Sequence, residues 1–179
     1  MASNITKRYS KKNPNYVKTG KETDVKKDKV MTPDYLAKSI IEHYKPNGFC
    51  LEPCKGTGNI YKYLPRPKDW CEIDEGRNFF DWTKKVDWII TNPPWANMTM
   101  FLDHCYEVAE NVVFVMLSHH LWTKKRMNSF IDKNFIMREM LLIPTPPRPW
   151  PQFGFQVCVM YFSKEKGNLI MEKKNWHDK

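Results

Sequence analysis

Long hydrophobic runs are missing from this chain of 179 residues. No apolar stretch approaches the roughly 18 residues needed to cross a bilayer. The first residues also lack an apolar region of signal-peptide type, so the expectation is a soluble protein of the cytoplasm, or of the host cytoplasm if viral, with no membrane partner. Glycine is scarce, at seven residues. Gly56 and Gly58 begin a glycine pattern, but Tyr61 stands where the third glycine of a dinucleotide fingerprint would fall, which disfavours NAD. No Gly-Lys-Ser/Thr follows either, so an ordinary phosphate-binding loop is unsupported. The five cysteines, Cys50, Cys54, Cys71, Cys105 and Cys158, form no Cys-x-x-Cys pair and read as buried free thiols. A zinc site drawn from Cys50, Cys54 and His43 has no standard spacing. His119-His120 reads better as a loop or helix start than as a ligand pair, so no metal is expected. No internal repeat is visible.

Apolar residues make up 41% of the chain and aromatic residues 14%, enough for one core. The expected division is a flexible basic arm over 1–30, one domain over 31–165 and a tail over 166–179. Residues 1 to 30 hold nine Lys or Arg against three acids, so +6 of the net +9 lies in the arm. Such a segment can neutralise phosphates without reading sequence, although solubility alone would also explain it. Lys124, Lys125 and Arg126, after Trp122, form a second candidate phosphate contact.

Three motifs carry the chemistry. Phe49 to Leu51 runs into Glu52-Pro53 and then Gly56 and Gly58, before a helix expected from Asn59. This is a strand, glycine turn and helix, in which φ > 0 lets the backbone approach a ligand closely. About twenty residues on, Trp70 to Asp74 ends in carboxylates, where a nucleotide-binding sheet bonds ribose hydroxyls; Glu72 is the first candidate and Asp74 the second. The apolar run Val86 to Ile90 then enters Asn92-Pro93-Pro94-Trp95. The prolines fix φ near −65° and hold Asn92 extended, so its amide oxygen is aimed in advance. A plain turn would explain one proline pair, and a second stands at Pro146-Pro147. The conjunction of strand, Asn, two Pro and an aromatic is what points to a site.

In this order the motifs resemble those of S-adenosylmethionine-dependent adenine-N6 DNA methyltransferases of compact, phage type, from about Met31 to Phe162. The resemblance implies that the Asn92 side chain and the Pro93 carbonyl accept the two hydrogens of an adenine amino group, with Pro94 completing the turn and Trp95 stacking on the base. It implies S-adenosylmethionine as cofactor, held by Thr32, Glu52, Pro53, Gly56, Gly58 and Glu72. Thr32-Pro33 sits where a cofactor-binding Thr-Pro segment belongs, though Thr32 as N-cap and Pro33 as first helical residue would account for it locally. Asn78-Phe79 stands in place of an Asp-Phe pair, leaving an uncharged amide for the adenine amino group and Phe79 for the adenine face. Trp150 or Phe153, in the proline-rich loop, would pack near the target base. Alternatives are an RNA adenine methyltransferase, a protein glutamine methyltransferase, or an inactive nucleic-acid-binding subunit of the same fold. Too little chain remains for a target-recognition domain, so sequence specificity is expected to be modest or to be supplied by a partner subunit.

Periodicity predicts helices over 34–44, 59–64, 98–110 and 121–132, and strands over 48–52, 70–73, 86–90, 112–117, 136–143 and 155–162. Alternating strands and helices imply an α/β fold with a mostly parallel central sheet covered on both faces. The last two strands should form an antiparallel pair. This arrangement resembles the Rossmann-like methyltransferase fold, with Gly56, Glu72 and Asn92 on the rim at the carboxyl ends of the strands.

Overall fold

The structure, a computed structural model, describes residues 30 to 176 apart from Ala96 and Phe153. The basic arm up to Lys29 and the expected contact at Phe153 therefore lie outside the described residues. Seven strands form one sheet: β1 (Cys50–Glu52), β2 (Lys68–Trp70), β3 (Val86–Thr91), β4 (Ala109–Leu117), β5 (Ile136–Ile143), β6 (Val157–Ser163) and β7 (Ile170–Lys173). Their order is β2-β1-β3-β4-β6-β5-β7. Neighbours among β1 to β4 are parallel, and β6 runs antiparallel to both β4 and β5.

Among the described residues four helices cover the sheet: α1 (Asp34–Tyr44), α2 (Asn59–Tyr63), α3 (Met98–Val108) and α4 (Lys124–Ile131). Side chains alternate across β4, and that alternation divides the core. Val112, Phe114 and Met116 pack with Phe101, Leu102 and Phe130 of α3 and α4 on one face. Val113, Val115 and Leu117 pack with Leu36, Ala37, Ile40 and Ile60 of α1 and α2 on the other. Each of these large apolar side chains contributes about 1.5–3 kcal/mol relative to exposure, which fixes the register of the central strands. α1 stops at Lys45, which has φ 45° and precedes Pro46, a residue that cannot continue the helix.

The expected architecture is the observed one, with local differences. Thr32 does not cap α1: Pro33 occupies that position and no side chain caps the helix. β2 spans Lys68–Trp70 and meets the expected 70–73 strand only at Trp70, because Glu72 leaves the ladder to cap a short 3₁₀ turn, Ile73–Glu75. The segment assigned to a tail supplies β7, which pairs in parallel with β5 from Glu139↔Ile170 to Leu142↔Lys173. Its four residues are all exposed, so no buried face imprints a period on the sequence.

Candidate active site

The chain steps from β1 to β2 on one side and returns to β3 on the other, so a crevice opens beyond the carboxyl ends of β1 and β3. Gly56 and Gly58 both take the positive φ expected of them, at 52° and 84°. A Cβ added to Gly56 would come within 2.6 Å of the Met31 sulfur. Glu72 closes the turn from the neighbouring strand end: one carboxylate oxygen accepts from the Gly56 N–H at 2.7 Å, the other from the Asp74 N–H at 3.2 Å. Lys55 pairs with Glu75 at 2.7 Å and lies 3.8 Å from the centre of the Trp70 ring, whose other neighbour is Arg77. The glycine turn is thus braced against the end of β2 on charged and aromatic contacts.

Glu52 closes β1 at 3% exposure, and its Oε2 has no partner among the described residues. Burial pushes its pKa well above the ordinary carboxyl range, against the pull of the Tyr61 backbone N–H. Beside it, the Cys54 thiol lies 2.8 Å from the Thr91 hydroxyl and donates to the Asn92 carbonyl at 3.1 Å. Cys54 was legible only as one buried thiol among five. It ties the glycine turn to the tip of β3.

Asn92 is held by its own amide. Nδ2 donates to the Val30 carbonyl at 2.8 Å, which orients the group and leaves Oδ1 without a partner among the described residues. Buried acceptors are ordinarily satisfied, so an oriented one without a partner at a strand tip stands out. Two further side chains hold the next carbonyls of the same segment. Trp150 Nε1 donates to Met31 at 2.8 Å, and Asn59 Nδ2 donates to Thr32 at 2.8 Å. Residues 30 to 32 are therefore strapped across the glycine turn and the β3 tip. Nothing in the chain near Val30 or Met31 signalled this role.

Several expected contacts take other duties. Trp150 is 2% exposed within the α1-side core and bonded to Met31, so it is a packing and tethering residue rather than an open platform. Phe79 is buried against Phe101 and His104, at 5.0 and 4.6 Å between ring centres, and does not present a free face. Asn78 caps the following turn by accepting from the Phe80 N–H at 3.3 Å. Arg126 is turned inward: its guanidinium donates to the His120 carbonyl and, at 2.9 Å, to the Thr99 hydroxyl. Lys124 and Lys125 remain exposed. Trp95 is half-buried after the two prolines, with His120 edge-on at 5.0 Å.

Solved structures share this architecture. The fold is that of the class I methyltransferases. A provisionally assigned class I S-adenosylmethionine-dependent methyltransferase from Listeria monocytogenes superposes with a TM-score of 0.62 at 12% identity, over 87% of this chain and 67% of that one. A provisionally assigned RNA methyltransferase from Pyrococcus horikoshii gives 0.56 at 16%, over 81% and 91%. The M protein of the type I restriction enzyme EcoKI gives 0.55 at 15%, over 76% of this chain but only 44% of its own. The chain thus spans under half of that M protein. No family model and no curated protein sequence matches the chain. In this methyltransferase fold, the glycine turn, Glu72 and Asn92 share the rim at the carboxyl ends of β1, β2 and β3. Among the described residues no group of three or more His, Cys, Asp or Glu is arranged to hold a metal ion, and no helix is long and apolar enough to cross a membrane.

Proposed function

We propose that this chain transfers a methyl group from S-adenosylmethionine to the exocyclic amino group of adenine in nucleic acid, with DNA as the preferred polymer. The observation that carries this reading is the free Oδ1 of Asn92, oriented by the Val30 carbonyl at the tip of β3. An adenine amino group is a weak nucleophile because its lone pair is delocalised into the ring. Two fixed acceptors, Asn92 Oδ1 and the Pro93 carbonyl, localise that pair by taking its two hydrogens, and because they are already oriented they cost no reorganisation during reaction. Trp95 supplies an apolar ring beside them.

The residues present fit the cofactor. Gly56 has the positive φ of a turn that presents its backbone to a ligand, and Glu52 offers a buried acceptor with no partner among the described residues at the adjacent strand end. Thr32, Glu52, Pro53, Gly56 and Gly58 would line it, and Glu72 would exchange its bond to Gly56 for the ribose hydroxyls. When bound, S-adenosylmethionine supplies an electrophilic methyl group on a sulfonium.

The likeness to the EcoKI M protein supports nucleic acid as substrate, and that to the Pyrococcus RNA methyltransferase, spanning 91% of its length, keeps RNA adenine as the alternative. The test is label transfer from tritiated donor to unmethylated DNA, unmodified RNA and a protein extract in separate reactions. Labelled N6-methyladenosine of either sugar supports the reading, and label on cytosine or on protein alone overturns it.

A further inference from the structure

Beyond the acceptor pair, the same rim carries a line of rings that starts at Trp95 and continues through three rings the proposed reaction does not use. Trp95 meets His120 at 5.0 Å, His120 meets His119 at 4.5 Å, and His119 meets Phe155 at 4.4 Å. The topology brings them together. His119 and His120 lie in the 3₁₀ turn Ser118–His120, directly after β4, and Phe155 lies just before β6. Because β6 is antiparallel to β4, with Leu117 opposite Val157, its start shares the rim on which β4 ends. The Ser118 N–H donates to the Gln156 carbonyl at 2.8 Å, and Gln156 Nε2 donates back to the Ile143 carbonyl at 2.8 Å, so the two loops are pinned to each other and to β5. Arg126 holds the His120 carbonyl from below.

The inner rings are half-buried and the outer ones exposed, Phe155 at 51%. Burial lowers the pKa of His120 to about 4, so at neutral pH it is an uncharged ring. The two loops that carry the rings are themselves free of acids, although Lys125 shares a cleft with Asp103, Asp132 and Lys133. Residues 118–128 and 144–156 contain Lys124, Lys125, Arg126 and Arg148 and no Asp or Glu. Exposed rings beside the exposed cations Lys124 and Lys125 match the two recurring parts of a single-strand nucleic-acid site, base faces to stack on and a backbone to neutralise.

We infer that the His120, His119 and Phe155 ladder is a binding track for the nucleotides flanking the methylated base, and that it takes them single-stranded. The inference names the substrate class of the proposed site and rests on that reading for its biological meaning. Its physical content is separate, since a stacking track binds bases of any kind. A duplex keeps its base faces stacked on one another and can offer the ladder only its edges and phosphates.

The test is fluorescence anisotropy of the full chain with a labelled oligothymidylate, which contains no adenine, and with a duplex of equal length. His119→Ala combined with Phe155→Ala should weaken single-strand binding about tenfold, within the range that loss of base stacking produces, while leaving the salt slope and the duplex affinity unchanged. Phe155→Trp should retain or tighten binding. Lys124→Ala with Lys125→Ala should instead lower the salt slope by about two. Both ring side chains are exposed, so their truncation opens no core cavity, and a melting curve checks this. Undiminished oligothymidylate binding by the ring double variant, or equal losses on duplex and single strand, overturns the inference. Absence of methyl transfer by the wild-type chain with ring-dependent binding intact would sink the proposed reaction and leave the track standing.

Discussion

Asn92 serves two ends of one amide, and replacing it in two ways separates them. Asn92→Ala removes both the free Oδ1 and the Nδ2 bond to the Val30 carbonyl. Loss of one positioned acceptor costs about 100- to 1,000-fold in rate, or roughly 3–4 kcal/mol of transition-state stabilisation. Loss of one neutral side-chain to backbone bond costs about 1 kcal/mol of stability, which for a chain of this size lowers the melting temperature by about 2–4 °C. Asn92→Asp restores an acceptor but sets a carboxylate against the Val30 carbonyl, 2.8 Å from the nitrogen it replaces. Two acceptors facing each other in a buried site cost about 1–3 kcal/mol, so the Asp variant should melt at or below the Ala variant while turning over faster. The assay is single-turnover methyl transfer from labelled donor to an adenine-containing oligonucleotide, run below both melting temperatures and paired with thermal denaturation. Near-normal turnover by Asn92→Ala would refute the acceptor role. An Asp variant no faster than Ala, though folded, would refute the division of labour between the two ends of the side chain.

Gly56→Ala places a Cβ within 2.6 Å of the Met31 sulfur on a residue at φ 52°, so it should lose about 1–2 kcal/mol of stability to backbone strain and weaken donor binding by calorimetry. Adding Met31→Ala should recover the part due to collision and not the part due to strain. Glu52 has a folded pKa raised above its unfolded value, so the folded state retains a proton that the unfolded chain releases, and stability falls as pH rises from about 4.5 toward the folded pKa. Glu52→Gln removes that dependence: relative to wild type it should gain stability as pH rises above about 4.5 in urea titrations, levelling off beyond the folded pKa, and a difference that stays constant with pH would contradict the burial account. Trp150→Phe keeps the packing but drops the bond to the Met31 carbonyl, so it should lose about 1 kcal/mol and melt roughly 2–4 °C lower.

How much the sequence disclosed depended on whether the controlling contacts were local. Strands β3 and β4 are buried on both faces and announce themselves as apolar runs. The glycine turn and the Asn92-Pro93-Pro94 tip are set by φ restrictions within a few residues and fell where expected. β7 went unseen because its exposed side chains answer to no core. The run Lys124, Lys125, Arg126 is uniform in sequence, yet Arg126 alone turns inward to meet Thr99 and His120, contacts 27 and 6 residues away. Trp150 lies in a proline-rich loop with no period to reveal which way it faces, and its partner Met31 is 119 residues distant. The ring ladder was hidden for the same reason, its members arriving from the ends of β3 and β4 and the start of β6.

The strap over residues 30 to 32 links the alignment of the Asn92 amide to a segment with no regular secondary structure of its own. Its anchoring bonds come from Asn92, Asn59 and Trp150, three side chains on three separate parts of the chain. Should that segment peel away, Asn92 would be free to rotate and Trp150 would lose its tether, while the seven-stranded sheet stayed intact. Mild heat or low urea should therefore silence the protein before its circular dichroism changes, and cooling should restore it without refolding.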